Sequence, residues 1–174
     1  MKPIQRGFET KYWLDQKFRI IHTCSNWDMF AIKNEGFGAV STIVTGTPLL
    51  DFIIGNHTRL WMKNLLEKSF DSFVPIVKPY RCDAPEEKRY MEMTLQNTGE
   101  KILEITHKIV ETRKIDPHVG CQYSLDTHKR RLRCSICNRI LLNEHWMDVE
   151  LAYADGLVAK PPVPVSYGIC EECQ

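Results

Sequence analysis

The chain has 174 residues, 43% of them hydrophobic and 26% charged, with a net charge of +1. That composition fits a globular protein with one ordinary domain, or one domain of about 110 residues plus a small accessory module. Near-neutral charge excludes a global field that would draw in nucleic acid or an anionic membrane, and the longest apolar runs, such as 49–54, fall far short of the roughly 20 residues a spanning helix needs.

The first residues lack the apolar segment of a signal peptide, so a cytoplasmic protein is expected. Seven cysteines in such a chain point to metal ligation over disulfides. Residues 17–24 alternate and are rich in β-branched side chains, which predicts a first strand with Phe18, Ile20, His22 and Cys24 on one face. Ser25 and Asn26 cap a short helix over 27–33. A turn at 34–38, an ambiguous β-branched stretch at 40–44 and a break at 45–48 lead to a short apolar element over 49–54. Asn56 is an N-cap for a longer helix over 57–70, whose buried face is Leu60, Trp61, Leu65 and Leu66. Residues 73–81 are extended, and Pro75 and Pro79 mark an edge or bulged strand.

Residues 90–96 alternate cleanly, with Met91, Met93 and Leu95 on one side. A hairpin turn at 97–100 follows. Residues 101–113 alternate again, with Leu103, Ile105, His107 and Ile109 inward. A strand, several helices and then three successive antiparallel strands define an α+β domain with its helices on one side of the sheet.

Further on, Cys134 and Cys137 form one C-x-x-C pair and Cys170 and Cys173 another, with 32 residues between them. Two such pairs read as a four-thiolate Zn²⁺ site. Four protein ligands leave no open position, so the metal is expected to be structural. Free thiols or a redox pair are the alternative.

The pattern of 13–113 resembles a PAS domain. The resemblance rests on 15–21 at the first strand, on Gly46, Thr47, Pro48, Leu49, Leu50 and Asp51 before the long helix, and on the run from Pro79 to Pro85 leading into Arg89, Tyr90, Met91, Glu92 and Met93, which is similar to a bacterial subgroup. Cys134, Cys137, Ile140, Trp146 and the stretch from Tyr167 to Cys173 resemble a small zinc-ribbon-like tail of bacterial signalling chains; Pro161, Pro162, Val163 and Pro164 depart from it as an insert that would shorten the tail's helix. The resemblance implies a five-stranded antiparallel sheet with helices on one face over 13–113, a linker over 114–132 and a four-cysteine zinc-binding tail over 133–174. It further implies a sensory module that binds a small molecule or cofactor between sheet and helices, dimerises, and signals by protein–protein contact to an unknown partner.

Within that frame Trp27, Phe30, Trp61, Met91, Met93 and His107 are the candidate ligand-binding residues, and plain core packing is the alternative for each. One imidazole on an apolar wall is what haem needs but is not diagnostic, so haem ligation is the lesser reading of His107. His57, in the first turn of the long helix, reads as a surface residue before it reads as a haem ligand; haem and flavin both stay open as occupants. Cys82 is either a thiol activated by Arg81 or an ordinary half-buried cysteine. Cys24 and Cys121 fit no recognised spacing. The basic run of His128, Lys129, Arg130, Arg131 and Arg133, with Arg139, is a solvated face or a phosphate contact. Nucleic acid is not the expected partner, but a zinc-ribbon nucleic-acid or transcription adaptor with a PAS-like dimerisation domain is the alternative function. No catalytic motif is present, so no enzyme is expected. A homodimer is expected through the outer sheet face, with Arg19, Ile21, Thr23, Val110 and Thr112, unless 8–14 covers that face.

Overall fold

The structure is a computed structural model that describes residues 6–84, 87–115, 119–158 and 161–174. Strands β1 (Glu9–Leu14), β2 (Ile20–Thr23), β3 (Ile76–Arg81), β4 (Glu87–Gly99) and β5 (Ile102–Lys114) form a five-stranded sheet in the order β2-β1-β5-β4-β3. Every neighbouring pair is antiparallel. Helices α1 (Trp27–Lys33), α2 (Ser41–Val44) and α3 (Asn56–Phe70), with 3-10 turns at Phe37–Ala39 and Leu49–Phe52, lie between β2 and β3 in sequence. Trp27, Leu49, Leu50 and Met62 from these segments pack on a core of Tyr12, Leu14, Ile20, Leu66, Met93, Leu95, Leu103 and Ile105. The described fold is therefore α+β, with one antiparallel sheet and few helices.

The β4–β5 hairpin follows its period-2 pattern. Arg89, Met91, Met93 and Leu95 are buried in turn, as are Leu103, Ile105 and Ile109 opposite. The reversal falls on Glu100 and Lys101, with φ of 50° and 65°, the paired left-handed conformation that suits a two-residue hairpin turn.

Four expectations need correction. Residues 17–24 do not form the first strand. Glu9–Leu14 precedes them as β1 and lies inside the sheet between β2 and β5, so 8–14 is not a cover for the outer face. The face expected for 17–24 holds only at its start. Trp13 pairs with His22 and Leu14 with Ile20, so Ile21 is a bulge. One extra residue reverses the facing of everything beyond it: His22 is exposed and lies on Trp13 at 5.1 Å between ring centroids, while Thr23 sits opposite buried Tyr12.

On α3 the buried residues are Thr58, Leu65, Leu66 and Ser69, and Leu60 is 59% exposed. The stripe is rotated because the second module claims Thr58, whose hydroxyl meets that of Ser135 at 2.8 Å. The N-cap is Gly55 at φ 94°, not Asn56. A Cβ at Gly55 would lie 3.0 Å from the Tyr167 carbonyl oxygen, so glycine permits both this backbone and the close approach of the two modules there.

The fourth correction concerns 114–132, which is not a plain linker. β6 (Cys121–Tyr123) joins β7 (Arg131–Cys134), β8 (Ile140–Leu142), β9 (His145–Met147) and β10 (Val163–Gly168) in a second sheet, ordered β6-β10-β7-β8-β9. β10 is parallel to both β6 and β7, and β7, β8 and β9 are antiparallel. The proline-rich segment thus leads into a strand flanked on both sides. With α4 (Val149–Ala154) this sheet buries Val119, Ile140, Leu142, Val149, Ala152, Val163 and Val165 in a second core. Among the described residues no helix is long and apolar enough to cross a membrane.

Candidate functional site

Cys134 ends β7 and Cys170 follows β10, two strands paired in parallel up to Cys134 opposite Gly168. That register carries both C-x-x-C turns to the same end of the sheet. In the first, Asn138 takes φ 61°, a conformation Asn tolerates, and its amide donates to the Cys134 carbonyl at 3.0 Å. In the second, the Cys173 amide donates to the Cys170 carbonyl at 3.0 Å.

The ligand atoms of Cys134, Cys137, Cys170 and Cys173 all lie within 4.8 Å of one another. A Zn–S length of about 2.3 Å implies tetrahedral edges of about 3.8 Å, and Cys137 Sγ and Cys170 Sγ are 3.8 Å apart. The amides of Ile136 and Cys170 both donate to Cys134 Sγ at 3.4 Å, which favours a thiolate there. The hydrogen bond from the Cys137 thiol holds Cys134 down at about 4, while that bond to Cys134 and burial push Cys137 far up. Donor identity, spacing and charge all fit a metal ion held by four sulfurs.

The second feature is a cavity of ≈ 260 Å³ between the sheet and α1. Trp27, Phe30, Met91 and His107 line it. The structure does not bring Met93 or Trp61 to it. Met93 is 3% exposed inside the core, and Trp61 packs on the core's edge under the Lys78 ammonium, 6.0 Å away. His57 is exposed on α3 and does not reach the cavity.

Tyr80, the cross-strand partner of Met91, and Cys82 also line the cavity. Tyr80 Oη lies 2.8 Å from His107 Nδ1, and Tyr12 Oη lies 3.5 Å from Nε2. Both ring nitrogens are therefore engaged. Burial drives the Cys82 thiol up; Arg89 pulls against this less strongly, and Asp83 adds a smaller rise. The activated-thiol reading fails because the Arg81 guanidinium turns away from Cys82, to Asp83 and Asp148.

Burial lowers His107 to about 4 from the ordinary 6.5. Its partners Tyr12 and Tyr80 are pushed up by burial, so neither titrates in this range. A neutral His107 contributes stability that is fully present above about 6.5 and is lost as pH falls towards 4. Part of its surface remains accessible, so the loss by pH 5 is about 1–2 kcal/mol, below that of a sealed group. Urea unfolding at pH 7 and pH 5 is expected to show this drop in the parent chain and a smaller one in His107→Gln. Equal drops in both would place the sensitivity elsewhere.

The end of β3 joins the two features. Tyr80 and Cys82 face the cavity, and Arg81 between them faces the metal knuckle. The Arg81 amide donates to the Ile136 carbonyl at 2.7 Å. Its guanidinium binds Asp83 at 2.6 Å and also Asp148. Lys88 pairs with Asp148 at 2.9 Å and with Glu150 at 3.2 Å. Asn138 Nδ2 donates to Asp83 at 3.0 Å. Nothing in the sequence spacing marks this cluster, whose two halves, 81–88 and 138–150, lie far apart along the chain. No family model matches the chain, and no curated protein matches it.

Proposed function

We propose that the chain is a PAS-type sensory module whose cavity takes a small ligand and whose metal is a structural Zn²⁺. The observation that carries this reading is the apolar cavity between sheet and helices, one wall of which leads through a single residue, Arg81, into the zinc knuckle. A ligand that moves Tyr80 or Cys82 displaces Arg81 and with it Ile136, so the tail reports occupancy to a partner protein. The sensor has no catalytic output of its own. A cavity of ≈ 260 Å³ falls just below the roughly 300–1,000 Å³ of drug-sized sites, and both nitrogens of His107 are engaged, so a small colourless ligand suits it better than haem or flavin.

We assign the two-fold pairing to the outer sheet face. β1 is part of the sheet and offers no cover, and Ile21 and Val110 are 41% and 40% exposed. The adaptor reading has less support. Lys129 pairs with Asp126, Arg130 and Arg133 donate to carbonyls of their own module, and Arg139 pairs with Glu172, so much of the basic run is already engaged.

Native mass spectrometry of the purified chain tests the proposal, because it reports metal, small molecule and oligomer together. A dimer with one Zn²⁺ and one small-molecule adduct per chain is expected. A metal-loaded chain that stays free of adduct, and gains none with any small molecule offered, would remove the sensory reading.

A further inference from the structure

Arg89 lies on the inward face of β4, two residues before the cavity-lining Met91, and is 3% exposed. Its Nη2 donates to Asn34 Oδ1, and its guanidinium carbon sits 5.8 Å from the centre of the Phe30 ring. Its Nε is buried with no hydrogen-bond partner. Among the described residues no carboxylate pairs with it, in contrast to Arg81, which holds two.

An unpaired buried cation is costly, by several kcal/mol even after relaxation. The C-terminal end of α1 offers partial relief, but its carbonyls are already bonded. Asn34, Glu35 and Gly36 donate to Phe30, Ala31 and Ile32, and Asn34 Nδ2 also donates to the Phe30 carbonyl. The fold therefore holds a guanidinium in a nearly dry position behind Phe30, Asn34 and Cys82, all three of which line the cavity. The rest of that lining is mostly apolar, apart from the His107–Tyr80 pair and Thr10.

We infer that the cavity's ligand is a small monocarboxylate with an apolar body, its carboxylate anchored by Arg89 beside Asn34 and its body set between Trp27 and Met91. The inference rests on the sensory reading above and names the ligand's chemical class. A carboxylate supplies the missing counter-charge and an acceptor for Nε, and a guanidinium matches its two oxygens in a planar fork. An apolar body suits the remaining wall, and the size of the cavity limits it to one ring or a short branched chain.

The test uses the metal-loaded full chain with benzoate, phenylacetate and 3-methylbutanoate, each against its primary amide. Calorimetric titration to about 10 mM covers affinities weaker than 1 mM. At least one acid is expected to bind while its amide does not. Arg89→Gln should weaken that acid about tenfold or more, the scale of one charge-assisted hydrogen bond, and Arg89→Lys should retain part of the affinity because it keeps the charge and loses the fork. An amide that binds as tightly as its acid, or an acid unaffected by Arg89→Gln, overturns the anchor and leaves the ligand-cavity reading standing. If no acid and no amide binds, the monocarboxylate inference falls, and the native mass spectrometry above decides the ligand-cavity reading. Should Arg89→Gln not fold, the acid–amide comparison on the unsubstituted chain decides alone.

Discussion

Stripping the metal with a strong chelator, or replacing Cys170 with Ser, is expected to unfold the second module while the first sheet stays intact. Cys134 and Cys170 are 0% and 1% exposed. Without a cation their sulfurs face one another with no compensating charge, and the thiolate favoured at Cys134 has no counter-ion. The second core is small, and β7 and β8 meet through a single residue pair, Arg133 with Ile140. Structural Zn²⁺ in finger peptides supplies about 10–16 kcal/mol, more than a core of this size supplies alone. The first sheet has an independent core in which Leu14, Leu66, Leu103 and Ile105 are all 0% exposed. Amide hydrogen exchange reads the result. The amides of Cys134, Ser135, Asn138 and Cys173, bonded to Arg139, Gly168, Cys134 and Cys170, should lose protection, and those of the β4–β5 ladder should keep it. The Arg81 amide should open with the knuckle, since its acceptor is Ile136. Full protection without metal, or purified protein that contains no metal, would sink the four-thiolate reading.

What the sequence made legible was local. The β4–β5 hairpin follows from alternation within a few residues, and the cysteine pairs carry their own spacing; α1 spans the expected 27–33 although Asn26 makes no side-chain cap hydrogen bond. Trp27, Phe30, Met91 and His107 reach the cavity because each sits on a face that its own element defines. Met93 is on the same face as Met91, but it lies one step further under the helices, where α3 closes the space; periodicity gives a face and not a depth. β1 does alternate, with Thr10, Tyr12 and Leu14 buried, but alternation alone does not say whether such a segment pairs within the sheet or lies over its outer face, the place expected for 8–14. The bulge at Ile21 has no glycine or proline to announce it. β6 is three residues long and pairs in parallel with a strand some forty positions later, so no local pattern could reveal it. Arg89 lies one residue before the strand predicted from Tyr90, so the alternation says nothing of its facing; the strand in fact starts at Glu87, which turns Arg89 inward. The ion cluster between the modules needs Arg81 to meet Asp148, which only the folded chain brings together.

Arg81→Met is expected to cost about 3–5 kcal/mol and to uncouple the two modules. The Arg81 side chain is 7% exposed, Asp83 12% and Asp148 27%, so removing the cation leaves two largely buried carboxylates without it. Adding Asp148→Leu should recover part of the loss, because a buried charge without a partner costs more than an apolar residue in its place. Lys88 would then keep Glu150, 3.2 Å away. Burial alone would raise the Asp148 carboxyl; hydrogen bonds from Lys88 and Arg81 overcome this and hold it below its ordinary value. A depressed carboxyl contributes stability that is present above its unfolded value of about 3.9 and lost as pH falls through the lower folded one. In the parent chain the docked state should therefore persist at pH 5 and weaken only in stronger acid. In Arg81→Met that acid transition should move to higher pH. Urea unfolding against pH, followed together with exchange at the Arg81 amide and at Ser135, separates the two modules' responses. Unchanged stability, with both amides still protected, would mean that the Thr58–Ser135 contact and the close approach at Gly55 hold the knuckle without the ion cluster, and the proposed path from cavity to zinc would lose its link.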